Sequence, residues 1–365
     1  MTYAIYKNEK ETKIKQVKSY KKVQIANVRK EWDSYMKKSY YLYKNGRLQR
    51  KDNSLEIVYK DGTKKSIPVE HTDDIYIMTE FDLNTNLLNF LSQYGISIHF
   101  FNHYGFYTGT YYPKENLVSG KLLIEQVKHY IDKEKRLNIA KEFIKSASYN
   151  IYRNLNYYNN RGKDLNEYIR EIDYLRKQID VCKDVQELMG IEGNIRKTYY
   201  SSWKNIINQE LEFEKRVKNP PDNAINSLIS YTNTLVYTRI LSEIYKTQLN
   251  PTISYLHEPS ERRFSLCLDI AEIFKPIIAD RLIFSMLNKK QITENDFEKG
   301  LNFLYIKEEK RKEITREMDL RLQTTIKHKK LDREVSYEYL IRLEIYKLIK
   351  HFIEGKEYEG FKMWW

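Results

Sequence analysis

Cysteine, glycine and proline are scarce in this chain of 365 residues, and each scarcity excludes a class of protein. Two cysteines, Cys182 and Cys267, cannot form the disulfide framework of a small secreted protein. Twelve glycines and seven prolines predict a chain that is mostly regular structure, largely helix. No stretch approaches the roughly 18 uninterrupted apolar residues of a membrane span, and the first ten residues lack the apolar core of a secretory signal. We therefore expect a soluble, cytoplasmic protein.

Motifs for three common chemistries are also missing. The seven histidines and two distant cysteines do not provide zinc-finger spacing, and no Gly-x-x-x-x-Gly-Lys-Ser/Thr loop occurs. No histidine is followed three residues later by an arginine, the clamp that a tyrosine nucleophile on DNA would need. The sequence therefore gives no support for a structural zinc site, P-loop hydrolysis or a tyrosine nucleophile.

Positive charge, in contrast, is abundant and unevenly placed. Lysine and arginine number 63 against 50 acids, a net charge of +13, which favours a polyanionic partner: nucleic acid first, an anionic membrane surface second. Residues 1–38 hold eleven bases and four acids, whereas residues 39–118 hold eight and nine. We expect the main polyanion surface in the part of the chain that follows.

Residues 36–113 are predicted to form a β domain. Short β-branched and aromatic runs alternate with turn signals, of which Asn45-Gly46 and Asp61-Gly62 supply the positive φ of tight hairpins. These signals predict an antiparallel unit. Its predicted strands are residues 40–43, 55–59, 75–78, 96–101 and 104–112. A helix is predicted at residues 86–94.

Residues 119–365 are predicted to form a larger, all-helical domain, so the fold class is α+β. Apolar residues at helical spacing begin at Leu123. Similar stripes recur over residues 165–182, 222–247, 265–288 and 335–353. The basic tract at 307–330 is interpreted as a solvated helix face.

A group of acids and one histidine in the helical domain is the best candidate for chemistry. Asp269 and Glu272 lie one helical turn apart on the edge of an apolar stripe, where a carboxylate is costly unless it is paired or bound to a cation. His257 precedes them after an apolar run. Glu192 lies between two nearby glycines, which leave space for a bulky ligand.

Each of these residues also has a purely structural interpretation. Glu192 could pair with Arg196 at i+4, His257 could be a hydrogen-bonded loop residue, and Asp269 could pair with an arginine at 262–263. Taken together, oxygen and imidazole ligands suit Mn²⁺ and tolerate Mg²⁺. A hard divalent ion in a basic protein indicates phosphodiester chemistry.

Four blocks of the sequence resemble, in order and spacing, the signature blocks of the CRISPR-associated endonuclease and integrase family Cas1. The blocks are Gly-Ile-Glu-Gly at 190–193, the Asn-Pro-Pro-Asp run at 219–231, Leu-His-Glu-Pro at 256–259, and the run from Ser265 to Pro276. The resemblance extends from Ser39 to the aromatic end at 361–365. It covers about nine-tenths of the chain.

The resemblance implies an N-terminal β domain that mediates dimerisation and a C-terminal helical catalytic domain. It implies that Glu192, His257 and Glu272 hold a divalent metal, Mg²⁺ or Mn²⁺. Asp269 matches a family acid that assists the site, and Asn226 matches a family asparagine that supports the site rather than contacting metal.

The resemblance also implies the reaction. The metal would activate the 3′-hydroxyl of a captured DNA fragment, a spacer, for attack on a phosphodiester of a CRISPR array, in prokaryotic antiviral defence. The implied partners are double-stranded DNA, a second copy of the chain and the small protein Cas2. Two alternatives stay open: a structure-specific, metal-dependent nuclease without integration, and a DNA-binding protein whose metal site is vestigial.

Residues 1–35 form a basic extension that precedes the usual start of the family. Met36 is a plausible initiation point, so a misassigned start codon is the first interpretation. The second is a genuine basic arm that contacts DNA.

Overall fold

The computed structural model describes most of the chain, in two compact units that are considered separately below. The first unit comprises the described residues up to His103 with those at 108–114, and the second comprises 104–107 with the described residues from 115 onward. The described residues are 37–113, 117–217, 220–261, 264–300 and 304–364. The predicted N-terminal extension at 1–35 lies outside them.

The first unit contains two four-stranded sheets. Their strand orders are β1-β5-β7-β8 and β4-β3-β2-β6. The elements are β1 (Lys38–Leu42), β2 (Gly46–Lys51), β3 (Ser54–Tyr59), β4 (Lys64–Ile67), β5 (Thr72–Ile77), β6 (Phe81–Asp82), helix α1 (Thr85–Tyr94), β7 (Ser97–Phe101) and β8 (Tyr107–Tyr111).

One of the two predicted hairpin turns is present. Strands β3 and β4 are antiparallel, and Gly62 between them has a φ of +80°, which a residue with a side chain rarely adopts. The Tyr59 N–H donates to the Thr63 carbonyl at 2.9 Å and closes this turn. The prediction at Asp61-Gly62 is therefore confirmed.

The prediction at Asn45-Gly46 is wrong. Gly46 opens β2 and pairs with Tyr59, while β1 lies in the other sheet. A side chain at Gly46 would collide with the Val58 carbonyl, because an added Cβ would lie 2.6 Å from that oxygen. The glycine serves close strand packing, and Asp52, with a φ of 54°, makes the β2–β3 turn instead.

The prediction that all strands of this unit are antiparallel also needs correction. Strand β1 runs parallel to β5, and β5 runs parallel to β7. A parallel pair needs a long connection. The β2–β4 hairpins connect β1 to β5, and α1 follows β5 before β7. Local turn signals reveal hairpins but do not reveal such crossovers.

Helix α1 shows how local sequence sets the element bounds. The Asn84 side chain accepts from the Leu87 N–H at 2.9 Å, which caps the first turn. Gly95, with a φ of 68°, ends the helix. The buried face of α1 packs into a core that includes Leu48, Leu55, Ile57, Ile75, Leu87, Phe90, Leu91 and Ile98.

The second unit is helical, so the prediction of a strand-rich region followed by a helical one is confirmed. Its helices are α2 (Gly120–Ile131), α3 (Lys133–Asn159), α4 (Asn166–Gln178), α5 (Val185–Ser201), α6 (Trp203–Ile206), α7 (Ala224–Tyr245), α8 (Ser265–Lys275), α9 (Arg281–Asn288), α10 (Glu308–Gln323) and α11 (Tyr337–Glu354). A five-residue π-helix, Pro276–Asp280, joins α8 to α9.

The unit is not all-helical as predicted, because it also contains two short antiparallel hairpins. These are β9 (Phe297–Lys299) with β10 (Leu304–Ile306), and β11 (Thr325–His328) with β12 (Arg333–Ser336). Strands of three or four residues are too short to show an alternating pattern. The β11 strand falls in the basic tract that was interpreted as a helix face, and α10 fills the first part of that tract.

Helix α8 lies at the centre of the second unit. It packs on α3 and α7, and α5 packs on α3 and α4. Helix α7 is buried on almost every side, as expected for a helix surrounded by protein. Among the described residues, no helix is both long and apolar enough to cross a membrane. Both cysteines are buried and unpaired.

Candidate catalytic site

Helix α5 carries the first predicted site residue. The helix begins at Asp184, whose side chain accepts from the Glu187 N–H at 2.8 Å. Glu192 lies two turns later, and the Arg196 Nε donates to its Oε1 at 3.2 Å. The ion pair considered as the structural interpretation of Glu192 is therefore present, but it is only part of the arrangement.

The Arg196 side chain joins two helices. Its Nη2 donates to the Glu272 carboxylate on α8, while its Nε contacts Glu192 on α5. Lys275, one turn after Glu272, donates to the other oxygen of that carboxylate at 2.6 Å. Two predicted metal ligands thus face one another across one guanidinium, and a second cation flanks them.

Burial and charge act differently on the two carboxyls. Burial raises the pKa of Glu192, and the negative charge of Glu272 raises it further. Burial also acts to raise the pKa of Glu272, but the charges of Lys275 and Arg196 overcome it and hold that pKa well below its usual range. Glu272 is therefore strongly ionised, whereas the charged form of Glu192 is disfavoured. An additional cation would be stabilised here.

Asp269 organises the loop that carries His257. It is fully buried, and its carboxylate accepts from the backbone N–H groups of Tyr255 at 2.6 Å and of Leu256 and His257 at 3.0 Å. The His257 Nδ1 lies 2.7 Å from the same carboxylate. Four donors on one carboxylate make Asp269 the anchor of the loop.

The Asp269 contact also fixes the chemistry of His257. A carboxylate only accepts, so Nδ1 carries the proton and, in the neutral ring, Nε2 keeps its lone pair. Metal-binding histidines use this arrangement. Burial acts to lower the pKa of His257, but the Asp269 hydrogen bond and charge outweigh it and raise the pKa.

The backbone around His257 is held from several sides. The Arg136 Nε on α3 donates to the Tyr255 carbonyl at 2.9 Å, and the Ser254 hydroxyl donates to the His257 carbonyl at 2.6 Å. Arg136 also pairs with Glu258 at 2.7 Å. The position of His257 is therefore set by a rigid scaffold rather than by a loose loop.

The three predicted metal ligands are neighbours but not a closed cage. Within the described parts of the chain, Glu192, His257 and Glu272 do not bring one ligand atom each within 4.8 Å of one another. The Arg196 guanidinium lies where the two carboxylates meet. The donor set, two carboxylates and an imidazole with Asp269 behind it, fits Mg²⁺ or Mn²⁺ once Arg196 releases one carboxylate.

The face of α5 that carries Gly190 and Gly193 is open. Gly190 and Gly193 are exposed, and an added Cβ at either would meet no atom within 4 Å. Neither glycine is therefore needed for packing within the described structure. The interpretation that the two glycines leave space for a bulky ligand stays a prediction.

Asn226 lies outside this cluster. Its side chain donates to the Lys215 carbonyl at 3.0 Å and to Asp222 at 2.7 Å, and it accepts from the Val217 N–H at 3.2 Å. These contacts hold residues 215–217 against the start of α7. The alternative partners of Asp269 at 262–263 are outside the described residues.

Three residues near the site were not singled out from the sequence. Arg196 was considered only as a partner of Glu192, and its second contact joins two helices that are distant in sequence. Lys275 had a signal, since it follows Glu272 by three residues in the same block. Asp280 had no such signal. It lies in the π-helix, which changes the number of residues per turn and so breaks the helical periodicity of the sequence.

Asp280 is a buried acid next to the cluster. It is 2% exposed, and its Oδ2 has no hydrogen-bond partner among the described residues. Burial raises the pKa of Asp280 to about 7, against the opposing effect of the Arg196 charge. A raised pKa in the folded state stabilises the fold at low pH, and this contribution is lost as the pH rises towards 7.

We predict that the stability of the Asp280→Asn variant, relative to that of the unaltered protein, increases as the pH rises. The difference in unfolding free energy should change by about 2 kcal/mol between pH 5 and pH 8. Urea unfolding of both proteins with chelator present measures it, and Asp173→Asn, at a partly exposed position, is the control. A difference that does not depend on pH would contradict the assignment.

The chain is similar to known proteins over most of its length. The family model for CRISPR associated protein Cas1 matches residues 40–319. A CRISPR-associated endonuclease Cas1 from Fusobacterium nucleatum is 59% identical over 330 residues, which are 90% of this chain and 98% of that protein. The solved structure of a Cas1 protein from Thermotoga maritima is 41% identical, covers 89% of this chain and all of its own, and has a TM-score of 0.78.

Two more distant structures share the fold. A casposase bound to integration product has a TM-score of 0.79 at 21% identity, and covers 88% of this chain and 92% of its own. A chain of a Cas6-RT-Cas1–Cas2 complex has a TM-score of 0.78 at 17% identity, and covers 90% of this chain and 36% of its own. At these identities the likeness concerns the fold alone.

Proposed function

The chain belongs to the Cas1 family of CRISPR-associated proteins, and from this premise we propose that it is a divalent-metal-dependent DNA endonuclease and integrase of the prokaryotic cytoplasm. It inserts captured DNA fragments into a CRISPR array, and so serves antiviral defence. The observation that carries the proposal is the pair of helices that present Glu192 and Glu272 to one guanidinium, beside the His257–Asp269 pair.

Glu192, His257 and Glu272 are the proposed metal ligands. When bound, a divalent cation neutralises the charge that develops on phosphorus and activates a hydroxyl or a water. Two features support this assignment. The pKa of Glu192 is raised by burial and by Glu272, so its carboxylate is short of positive charge. The imidazole of His257 is oriented with Nε2 available.

The other residues of the cluster have distinct proposed tasks. Asp269 keeps the proton of His257 on Nδ1 and holds the loop in place. Lys275 keeps Glu272 ionised. Arg196 balances the two carboxylates without metal and adds positive charge for a DNA phosphate when one carboxylate is released.

The substrate is proposed to be double-stranded DNA, recognised mainly through its backbone. The net charge of +13 supports this choice, since phosphate contacts dominate DNA affinity. The exposed stretch of α5 around Gly190 and Gly193 leaves open surface on the helix that carries Glu192, where a strand could lie. Asn226 is proposed to have only a supporting role, because its side chain holds residues 215–217 against the start of α7.

If Gly190 and Gly193 serve DNA access, replacing them should separate stability from function. Alanine is the better helix former, so the double variant Gly190→Ala/Gly193→Ala should raise the unfolding free energy by roughly 1–2 kcal/mol. DNA cleavage should fall by about tenfold, because the added methyl groups would occupy the open surface of α5 on which the strand is proposed to lie. Urea unfolding and a cleavage assay on one preparation measure both. Unchanged cleavage in the stabilised variant would argue against this role.

Two protein partners are proposed. A second copy of the chain would associate through the β domain at 36–113, and Cas2 would join the dimer. The fold shared with a chain of a Cas6-RT-Cas1–Cas2 complex supports the second partner. If residues 1–35 contact DNA, their removal by proteolysis should lower DNA affinity.

The experiment that tests the function is strand joining. A short DNA duplex is incubated with a supercoiled plasmid that carries a CRISPR repeat, with Mn²⁺ or Mg²⁺ and Cas2. Joined product that disappears with chelator is expected. Cutting without joining would favour the alternative, a metal-dependent nuclease without integration, which the same arrangement of Glu192, His257 and Glu272 could also support.

A further inference from the structure

The segment that follows Glu272 has an unusual backbone. It passes from α8 through the buried π-helix Pro276–Asp280 into α9. A π-helix pairs a carbonyl with the N–H five residues later instead of four, and Pro276 has no N–H to donate. Some carbonyls at such a junction lose their usual partner, so they need donors from elsewhere. One such donor is Arg321 of α10, whose Nε donates to the Ile277 carbonyl at 2.9 Å.

Two asparagines of α3, one helical turn apart, supply further donors to this segment. The Asn150 Nδ2 donates to the Ile273 carbonyl at 3.0 Å, and the Asn154 Nδ2 donates to the Pro276 carbonyl at 2.7 Å. Both asparagine side chains are fully buried. Because burying an amide is costly unless it is hydrogen-bonded, the role of these side chains depends on the carbonyls that they bind.

Asn154 also contacts the helix that carries Glu192. Its Nδ2 lies 3.3 Å from the hydroxyl of Tyr199 on α5, a side chain that is fully buried. Tyr199 follows Glu192 by seven residues, which places both on one face of α5. Pro276 follows Glu272 by four residues, about one helical turn. One amide therefore joins the two segments that carry the proposed carboxylate ligands.

The Asn154 amide also carries a cost. Its Oδ1 is buried and has no hydrogen-bond partner among the described residues. Turning the amide over would place that oxygen against the Pro276 carbonyl, so the contact with Pro276 fixes the orientation of the amide. A buried acceptor without a partner destabilises the fold. A local cost of this kind is typical of a residue that serves function.

We propose that Asn154 is a positioning residue for the metal site. By joining Tyr199 of α5 to the Pro276 carbonyl, it sets the separation of Glu192 from Glu272. The proposal rests on the function proposed above, in which these two carboxylates hold one divalent cation. Mg²⁺ demands a nearly ideal arrangement of its oxygen ligands, so a small displacement of one carboxylate weakens binding. Asn154 itself contacts neither carboxylate.

The test combines two measurements, neither of which is activity. Electron paramagnetic resonance gives the Mn²⁺ affinity, and mass spectrometry with chelator present gives the hydrogen exchange of the backbone amides at 272–281. Asn154→Ala should weaken Mn²⁺ binding by about tenfold, as for other groups that orient metal ligands. Exchange at 272–281 should rise, while the other helices of the second unit change less.

A second variant separates lost hydrogen bonds from lost volume. Asn154→Leu keeps a branched side chain at this position but has no donor. If the hydrogen bonds of Asn154 set the geometry, Asn154→Leu should weaken Mn²⁺ binding as much as Asn154→Ala does. All proteins are compared well below their unfolding temperatures, so that only folded protein is measured.

Two controls separate positioning from general stability. Asn156→Ala removes an amide from the same helix, but the Asn156 Nδ2 donates to the Tyr152 carbonyl within α3 itself. Ile341→Ala removes buried volume from α11, and so lowers stability without removing a donor to the π-helix. Neither control should change the Mn²⁺ affinity.

Full Mn²⁺ affinity in both Asn154 variants, or an equal loss of affinity in Ile341→Ala, would overturn the proposal. If the unaltered protein bound no Mn²⁺, the proposed metal site would fall, and hydrogen exchange alone would decide whether Asn154 holds this segment. A rise confined to 272–281 would then support that hold, and an unchanged exchange pattern would overturn it.

Discussion

Replacing His257 with alanine should lower strand joining by about 10³-fold or more. The substitution removes the one imidazole proposed to hold the metal, and a thousandfold loss corresponds to about 4 kcal/mol of transition-state stabilisation. The ring is a quarter exposed at the surface of a rigid loop, so its loss should not unfold the protein. The strand-joining assay, run at several Mn²⁺ concentrations, measures the effect.

The control for this variant is Glu258→Gln. Glu258 is the adjacent residue, is 67% exposed and pairs with Arg136, so its substitution perturbs the same loop without touching the proposed metal ligands. Strand joining should stay within about threefold of the unaltered protein, because an exposed ion pair contributes little. Equal rates for His257→Ala and the unaltered protein would sink the assignment of the site.

Replacing Asp269 with alanine should have the largest effect on stability. The variant leaves the backbone N–H groups of Tyr255, Leu256 and His257 without their buried acceptor, and breaks the contact with the imidazole. The unfolding free energy should fall by about 3–5 kcal/mol. Chemical unfolding with chelator present measures it, and Asp173→Ala, at a partly exposed acid, should change stability by less than about 0.5 kcal/mol.

Asp269→Asn distinguishes support of the loop from action on the histidine. The amide keeps one acceptor oxygen but loses the charge that raises the pKa of His257, so that pKa should fall. Mn²⁺ affinity should fall by about 10- to 100-fold, as for other groups that orient a metal-binding histidine. An Asp269→Asn protein with an unchanged histidine pKa, followed by NMR, and full Mn²⁺ affinity would show that Asp269 is structural only.

The parts of the fold that were predicted from the sequence are those set by neighbouring residues. The turn at Asp61-Gly62 depends on four consecutive residues, and α1 depends on its cap and on Gly95. The parallel pairing of β1 with β5 depends on strands some thirty residues apart, for which local signals carry no information. The two short hairpins could not be predicted for another reason, because strands of three or four residues are too short to show a period.

The same division applies to the candidate site. The acids at 269 and 272 could be singled out because carboxylates beside an apolar stripe need an explanation in any fold. That Arg196 reaches from α5 to Glu272 could not, since 76 residues separate the two and only the packing of both helices brings them together. Asp280 could not be singled out either, because the π-helix breaks the helical period from which the direction of its side chain would be inferred.

The proposed metal site is tested by a Mn²⁺ titration followed by electron paramagnetic resonance, with the unaltered protein and Glu272→Gln. We expect one Mn²⁺ site per chain, weakened by 100-fold or more in the variant, with strand joining lost in parallel. We also expect Arg196→Met to bind Mn²⁺ still, since Glu192 and Glu272, the proposed ligands, are kept. Mn²⁺ binding of full affinity in Glu272→Gln would contradict the proposed metal site.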